Sequence, residues 1–277
     1  MVESQPGAER CPRCGGRGWL VAADGGAGTA RPCACRGQGA VARLLAAAGI
    51  PERYRHCKLA NFQVSSGSPQ VKGQLLQARS LAEQYANGFL NDGGIRESGL
   101  LFIGPPGVGK THLAVGVLVE VVERFAVRAR FIEFNSLIHQ IQSTFGASSA
   151  ESTHQIIDPL IEVPLLILDE LGTQQHTPWV RDILYLLINS RYTRRRPTLF
   201  TTNYRLGAAP GESARAGPVK LDRGRDPEPE PIAAAGLLSS RLPPMIVSRL
   251  YEMTQPVVLT GVEDFRREHK VHGAHMR

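Results

Sequence analysis

The sequence predicts an α/β protein built on a five-stranded parallel sheet with helices on both faces. Three observations carry that prediction. From residue 99 onward, short and nearly continuous apolar runs alternate with helix-length segments, the pattern of strands buried on both faces. The glycine-rich stretch GPPGVGKTHL, Gly104 to Leu113, falls between the first such strand and the helix behind it. A later strand, in PLLILDELG, ends in the adjacent carboxylates Asp169 and Glu170.

The bulk properties suit a soluble chain. At 277 residues, 42% apolar and 21% charged, it can bury a sizeable core. It carries no apolar run near the ~20 residues of a membrane span. The N-terminus MVESQPGAERCPRC lacks the pattern of a signal peptide, so a cytoplasmic location is expected and no membrane partner. The formal charge of +7 suits an anionic partner such as nucleic acid, although a basic surface also serves solubility. Residues 1–58 hold nine Lys/Arg against four Asp/Glu, which places much of the excess there.

Residues 1–40 are Gly-rich and poor in apolar side chains, so a hydrophobic core cannot offset their ordering entropy. A staple is at hand. CPRC (Cys11, Cys14) and CAC (Cys33, Cys35) are separated by 18 residues. Four thiolates at that spacing can close a tetrahedral Zn²⁺ site, and Gly15, Gly16 and Gly18 fit the tight turn of a CxxC knuckle. Redox-active or idle thiols are the alternative. Disulfides do not suit a chain without export signals. Cys57 stands apart and reads as a buried or idle thiol.

Residues 41–95 read as a helical linker and connector. The helix AVARLLAAAG stops at Gly49 with Pro51 beyond it, IPERYRHCKLANF follows, and a second helix spans about 69–90. Residues 96–277 form the core. Strands are expected at 99–103, 129–134, 164–168, 197–202 and 256–260, with helices at 110–124, 136–145, 151–161, 178–194 and 239–252. Residues 205–236 interrupt this rhythm with a Pro/Gly-rich, charge-balanced segment that lacks aromatics and reads as a flexible surface insertion.

The glycine-rich stretch fits G-x-x-x-x-G-K-[ST] at Gly104, Gly109, Lys110 and Thr111, with Pro105, Pro106, Gly107 and Val108 inside the loop. Such a loop turns backbone N–H groups onto phosphates at a helix N-terminus, whose dipole favours anions. Lys110 then reaches the β and γ phosphates and Thr111 holds Mg²⁺. Asp169 anchors the metal shell, and Glu170 orients and polarises an attacking water. That pair suits ATP hydrolysis better than phosphate transfer to a small molecule. An Asn after a strand is usually a turn residue, but Asn203 in TLFTTN comes third in this series and reads as a sensor beside the γ-phosphate. Arg249, in MIVSRLYEM, lies on a short amphipathic helix and reads as an arginine finger offered to a neighbour. The bland alternative is a surface salt bridge, and the competitor for the role is Arg241.

Together GPPGVGKTHLA, LLILDELG, FTTNY and IVSRLYEM…VVLTG resemble the DnaC/DnaI helicase loaders and their relatives, including IstB-type transposition ATPases, all AAA+ proteins of the initiator clade. His112, directly after Thr111, is typical of that clade, and the connector resembles the segment preceding the ATPase core. The resemblance covers about residues 50–270. It implies an ATPase that forms head-to-tail homo-oligomers with ATP between subunits and single-stranded DNA at the centre. On that resemblance Gly104–His112 bind nucleotide, Glu170 activates water, Asn203 is the first sensor and Arg249 the finger. The helix FNSLIHQIQSTFG sits where the clade contacts DNA, yet has no Lys or Arg. About 17 residues follow the last expected strand, too few for a full helical lid. Arg266 and Arg267 read as a basic surface tail, and His269, His272 and His275 as a disordered one. Some loaders carry an N-terminal zinc module that touches the helicase, which favours a loader of a replicative hexameric helicase. A transposition helper and a nucleotide-gated adaptor with negligible turnover are the alternatives.

Overall fold

Every residue of Gly99–Ile103, Leu165–Asp169 and Thr198–Thr202 is buried, which is why these segments read as unbroken runs rather than alternating strands. The computed structural model describes residues 19–21, 30–32, 35–64, 68–91, 93–144, 149–173, 177–206 and 236–259. An antiparallel pair, β1 (Trp19–Val21) and β2 (Ala30–Pro32), precedes α1 (Cys35–Ala47). Two 3-10 turns, Glu52–Tyr54 and Leu59–Asn61, lead to α2 (Pro69–Asn87) and a small hairpin, β3 (Leu90–Asn91) with β4 (Gly94–Ile95). Next come β5 (Gly99–Ile103), α3 (Lys110–Phe125), β6 (Ala129–Glu133), α4 (Phe134–Ser143) and α5 (Ser149–Glu162). The chain continues through β7 (Leu165–Asp169), α6 (Pro178–Thr193), β8 (Thr198–Thr202), a 3-10 turn at Leu238–Ser240, α7 (Pro244–Met253) and β9 (Thr254–Val258).

The five-stranded sheet is parallel, in the order β6-β7-β8-β5-β9. Successive side chains on each strand go to opposite layers. Leu100, Phe102, Leu165, Ile167 and Leu199 join one core with α1, α2 and α3. Leu101, Ile103, Leu166, Leu168 and Phe200 join another with α4 to α7. Strand β9 is an edge and carries Pro256, which an edge tolerates because the missing N–H breaks no inner ladder.

The connector packs into the first of these cores. Leu59 and Phe62 are buried there with Leu75, Ala82 and Phe89. Gly116 makes room for it, since a Cβ at that position would lie 2.9 Å from Leu59 N. On the other face, Arg191 is the largest fully buried side chain. Its guanidinium donates to Thr198 Oγ1 at 2.8 Å and to the carbonyls of Leu160, Ile161, Val163 and Pro197 at 2.6–3.1 Å. It thus caps the C-terminal end of α5 and ties it to the start of β8, with an acceptor at each of its three guanidinium nitrogens.

The expected strands fall within two residues of those found, and the helices differ in ways with physical causes. Helix α1 begins at Cys35 rather than at 40. The expected helix over 239–252 is instead a 3-10 turn followed by α7, because Pro243 removes an N–H and disfavours helical geometry at Leu242. Pro244 then occupies the first turn of the new helix, where its fixed φ fits.

Residues 207–235 of the insertion, Cys11, Cys14, Cys33, and the tail with Arg266, Arg267, His269, His272 and His275 lie outside the described residues. The insertion's flanks are fixed. Arg205 bridges to Leu237, Leu238 N donates to Arg205 O at 2.6 Å, and Leu206 and Leu238 are buried. Replacing most of residues 207–235 by a short Gly/Ser turn should therefore preserve cooperative unfolding and ATP affinity. The closure entropy changes by only about 0.6 kcal/mol per twofold change in loop length. Loss of the thermal transition in that variant would contradict an insertion that is dispensable for the fold.

Candidate active site

Ligands of open parallel sheets gather at the carboxyl ends of the strands. Here β5, β7 and β8 end side by side, and Gly104 N donates to Thr202 O at 3.2 Å as the first loop leaves the sheet. Gly109, at φ 93°, stands at the N-cap of α3 with no side-chain cap, so the first N–H groups of that helix face the loop. A Cβ at Gly109 would lie 2.6 Å from Phe62 Cε2, so only glycine fits. Lys110 is buried, and its ammonium donates to Gly104 O at 2.9 Å and Pro105 O at 2.8 Å, within the cradle itself.

The second half of the site meets the first through one carboxylate. Asp169 is 2% exposed, and its Oδ1 accepts from Thr111 Oγ1 at 3.0 Å and Thr201 Oγ1 at 2.6 Å. Burial pushes the Asp169 carboxyl above its ordinary range, while the two hydroxyls and the Lys110 charge pull the other way. Glu170 follows in the left-handed region at φ 61°, which costs a non-glycine residue about 1–3 kcal/mol. That backbone is held from three directions. Glu170 N donates to Thr201 Oγ1 at 2.9 Å, Leu171 N to Thr201 O at 2.8 Å, and Thr173 Oγ1 to Glu170 O at 2.6 Å.

Lys110, Thr111, Glu170, Thr201 and Asn203 line one cleft of about 280 Å³. Its other wall comes from the connector, through Arg53, Tyr54, His56 and Cys57. Cys57 is buried, and burial pushes its thiol up to about 11.

His112 also lines the cleft, but its ring bonds to the connector. Nε2 lies 3.0 Å from Lys58 O and 3.0 Å from Asn61 Oδ1. The Asn61 amide is oriented by accepting from Lys58 N at 2.8 Å and donating to His56 O at 2.7 Å. Both neighbours of Nε2 are therefore acceptors, so Nε2 carries a proton. Phe62 packs edge-on against the ring at 5.4 Å, and burial holds its pKa below the ordinary histidine value. His112 thereby fastens the connector to the helix behind the P-loop.

Lys110, Thr111, Glu170 and Asn203 thus line one cleft, and Asp169 joins them through Thr111 Oγ1. Arg249 is not among the residues lining their cleft. It lies on α7, donates to Met245 O at 3.0 Å and Tyr185 Oη at 3.4 Å, and stacks over the rings of Tyr185 and Tyr192 at 5.0 and 5.6 Å. Arg241 does not line the cleft either; it lies 4.3 Å above the Tyr204 ring and donates to Gly172 O at 3.3 Å. Of the four clustered cysteines only Cys35 is described, as the first residue of α1, and no group of three metal-ligating side chains occurs among the described residues. Sequence reasoning missed Thr201 and the connector's wall. The available signal for Thr201 was two consecutive hydroxyls in a buried strand, each of which needs a partner.

A parallel sheet of this order, with a P-loop at the end of β5 and a carboxylate pair two strands away, defines a P-loop nucleotide-binding protein of the AAA+ type. The chain belongs to the IstB-like ATP binding protein family, whose model matches residues 30–209. It is 30% identical over 161 residues to the replicative helicase loader DnaC of Escherichia coli K12, covering 58% of this chain and 61% of that one. It is 25% identical over 177 residues to YqaM of Bacillus subtilis, covering 62% and 54%. The match thus spans less than two thirds of either relative. A crystal structure of the DnaC helicase loader superimposes with a TM-score of 0.56 at 27% identity, over 75% of this chain and 99% of that one. No helix among the described residues is long and apolar enough to cross a membrane.

Proposed function

We propose that the protein is an ATPase that places a replicative hexameric helicase on single-stranded DNA. The observation that carries the catalytic part is the convergence on Asp169 of hydroxyls from the P-loop helix and from β8, with Glu170 and Asn203 at the same cleft.

The residues fit a magnesium nucleotide. Gly109, with no side-chain cap, leaves the first N–H groups of α3 facing the loop, and Thr111 and Asp169 present a hydroxyl and a carboxylate, the oxygen donors magnesium prefers. When bound, the metal would supply positive charge that neutralises charge developing on the phosphates during transfer. Lys110 binds phosphate oxygens from inside the loop, Thr111 and Asp169 would hold the metal, and the N–H groups opening α3 orient the phosphates. Glu170 accepts the proton of the attacking water. Asn203 orients that water from the end of β8.

Arg249 completes the site of a neighbouring copy in a head-to-tail oligomer. Its position outside its own chain's cleft supports this role. Arg249→Ala is expected to bind ATP normally and hydrolyse it ~10³-fold more slowly or worse. Mixed with Glu170→Gln, it should regain part of the activity, because some interfaces then pair an intact P-loop with an intact finger. Full activity of Arg249→Ala in an assembled oligomer would end the trans assignment.

The N-terminal cysteines form a zinc site for docking the helicase. In sequence, Cys14 precedes Trp19 by five residues and Cys33 directly follows Pro32, and Trp19 and Pro32 are paired in the β1–β2 ladder. Purified protein should carry about one zinc per chain, closed by four thiolates. Replacing Cys11 and Cys14 by Ser should release it, as measured by atomic emission, with ATP binding unchanged. Metal-free protein prepared without chelators would contradict this.

The client is tested by affinity capture with the intact N-terminus. A replicative helicase in the eluate is the expected result. A transposase there would favour the transposition reading that the IstB-like family relationship also supports.

A further inference from the structure

We infer that Thr201 is the positioning residue of the carboxylate pair, setting Asp169 toward the metal and Glu170 toward the water through one hydroxyl. The inference rests on the reading of Glu170 as the base.

A threonine hydroxyl has one proton to donate and lone pairs to accept. Thr201 uses both within the site. It donates to Asp169 Oδ1 at 2.6 Å and accepts from Glu170 N at 2.9 Å. The group is 1% exposed, so water does not replace it. The register explains the reach: Leu168 pairs with Phe200, and Thr201 therefore stands beside the first residue past that pair, Asp169. The next residue of β8 repeats the device on the backbone, with Thr202 Oγ1 donating to Leu171 O at 2.7 Å. Glu170 is the residue in the left-handed region, so the N–H that Thr201 holds belongs to the backbone unit most in need of an anchor. Asn203 lies two residues beyond Thr201, just past the end of the same strand, so the sensor and the carboxylate pair share one support.

A hydroxyl that only filled space would be replaced by an isosteric methyl with a loss of stability alone. Thr201→Val is that replacement. Magnesium-free ATP binding should match wild type, since the P-loop is untouched. The magnesium concentration needed for half-maximal binding of a non-hydrolysable ATP analogue should rise, and kcat should fall, each by ~10–100-fold, the usual effect of removing a hydrogen bond that orients a metal ligand. Thr201→Ser should restore both. Thr201→Ala serves as a second variant if Thr201→Val does not fold, and Thr201→Ser must match wild type in either case. Wild-type kcat and magnesium dependence in folded Thr201→Val, or a slow Thr201→Ser, would overturn the inference. Glu170→Gln is measured alongside. If it hydrolyses at the wild-type rate, the reading of Glu170 fails; if it stalls while Thr201→Val does not, only the role of Thr201 fails.

Discussion

Replacing Lys110 with alanine is expected to abolish ATP binding while the protein still unfolds cooperatively. The ammonium is buried inside the loop, with its hydrogens on Gly104 O and Pro105 O, within reach of any anion the loop admits. Two charge-assisted hydrogen bonds to phosphate, at ~1.5–3 kcal/mol each, correspond to roughly 10²–10⁴ in affinity. The methyl of alanine supplies neither. Titration of a fluorescent ATP analogue measures the loss directly, and wild-type affinity in Lys110→Ala would remove the P-loop assignment.

Glu170→Gln separates binding from turnover. The amide keeps the size of the side chain and the left-handed backbone held by Thr201 and Thr173, but it cannot accept a proton. Loss of a general base typically costs ~10²–10⁴-fold in rate, with little change in affinity. Single-turnover phosphate release against analogue binding gives both numbers on one preparation. Equal rates for variant and wild type, both above that of Lys110→Ala, would show that the base is another group.

Much of this site is legible in the sequence alone, for a reason visible in its residues. The P-loop is local: Gly104 to Thr111 is one turn whose backbone must curl, and the glycines say so. Asp169 and Glu170 end a strand whose five residues are all buried, and a buried strand shows as an apolar run. The paired hydroxyls of Thr201 and Thr202 show that partners are needed but not which ones, because that depends on β8 lying beside β7, a neighbour relation that no single segment carries. The connector's part is hidden for the same reason. His112 meets Lys58 and Asn61 only after α3 and the 3-10 turn pack together, 51 to 54 residues apart in sequence. The hairpin β3–β4 escapes because two-residue strands show no periodicity. The split of the expected 239–252 helix is legible in Pro243 and Pro244, whose effect on the residue before them outweighs the amphipathic pattern.

The central claim is that the cleft hydrolyses ATP rather than merely holding it. Its most direct test is steady-state phosphate release by the full chain with magnesium and ATP, with and without single-stranded DNA, using Glu170→Gln as the background. The predicted result is turnover at least ~10²-fold above that background, as expected for an intact general base. Tight ATP binding with phosphate release, under either condition, no faster than that of Lys110→Ala, which is expected to bind no ATP, would contradict it, and would make the protein a nucleotide-gated adaptor.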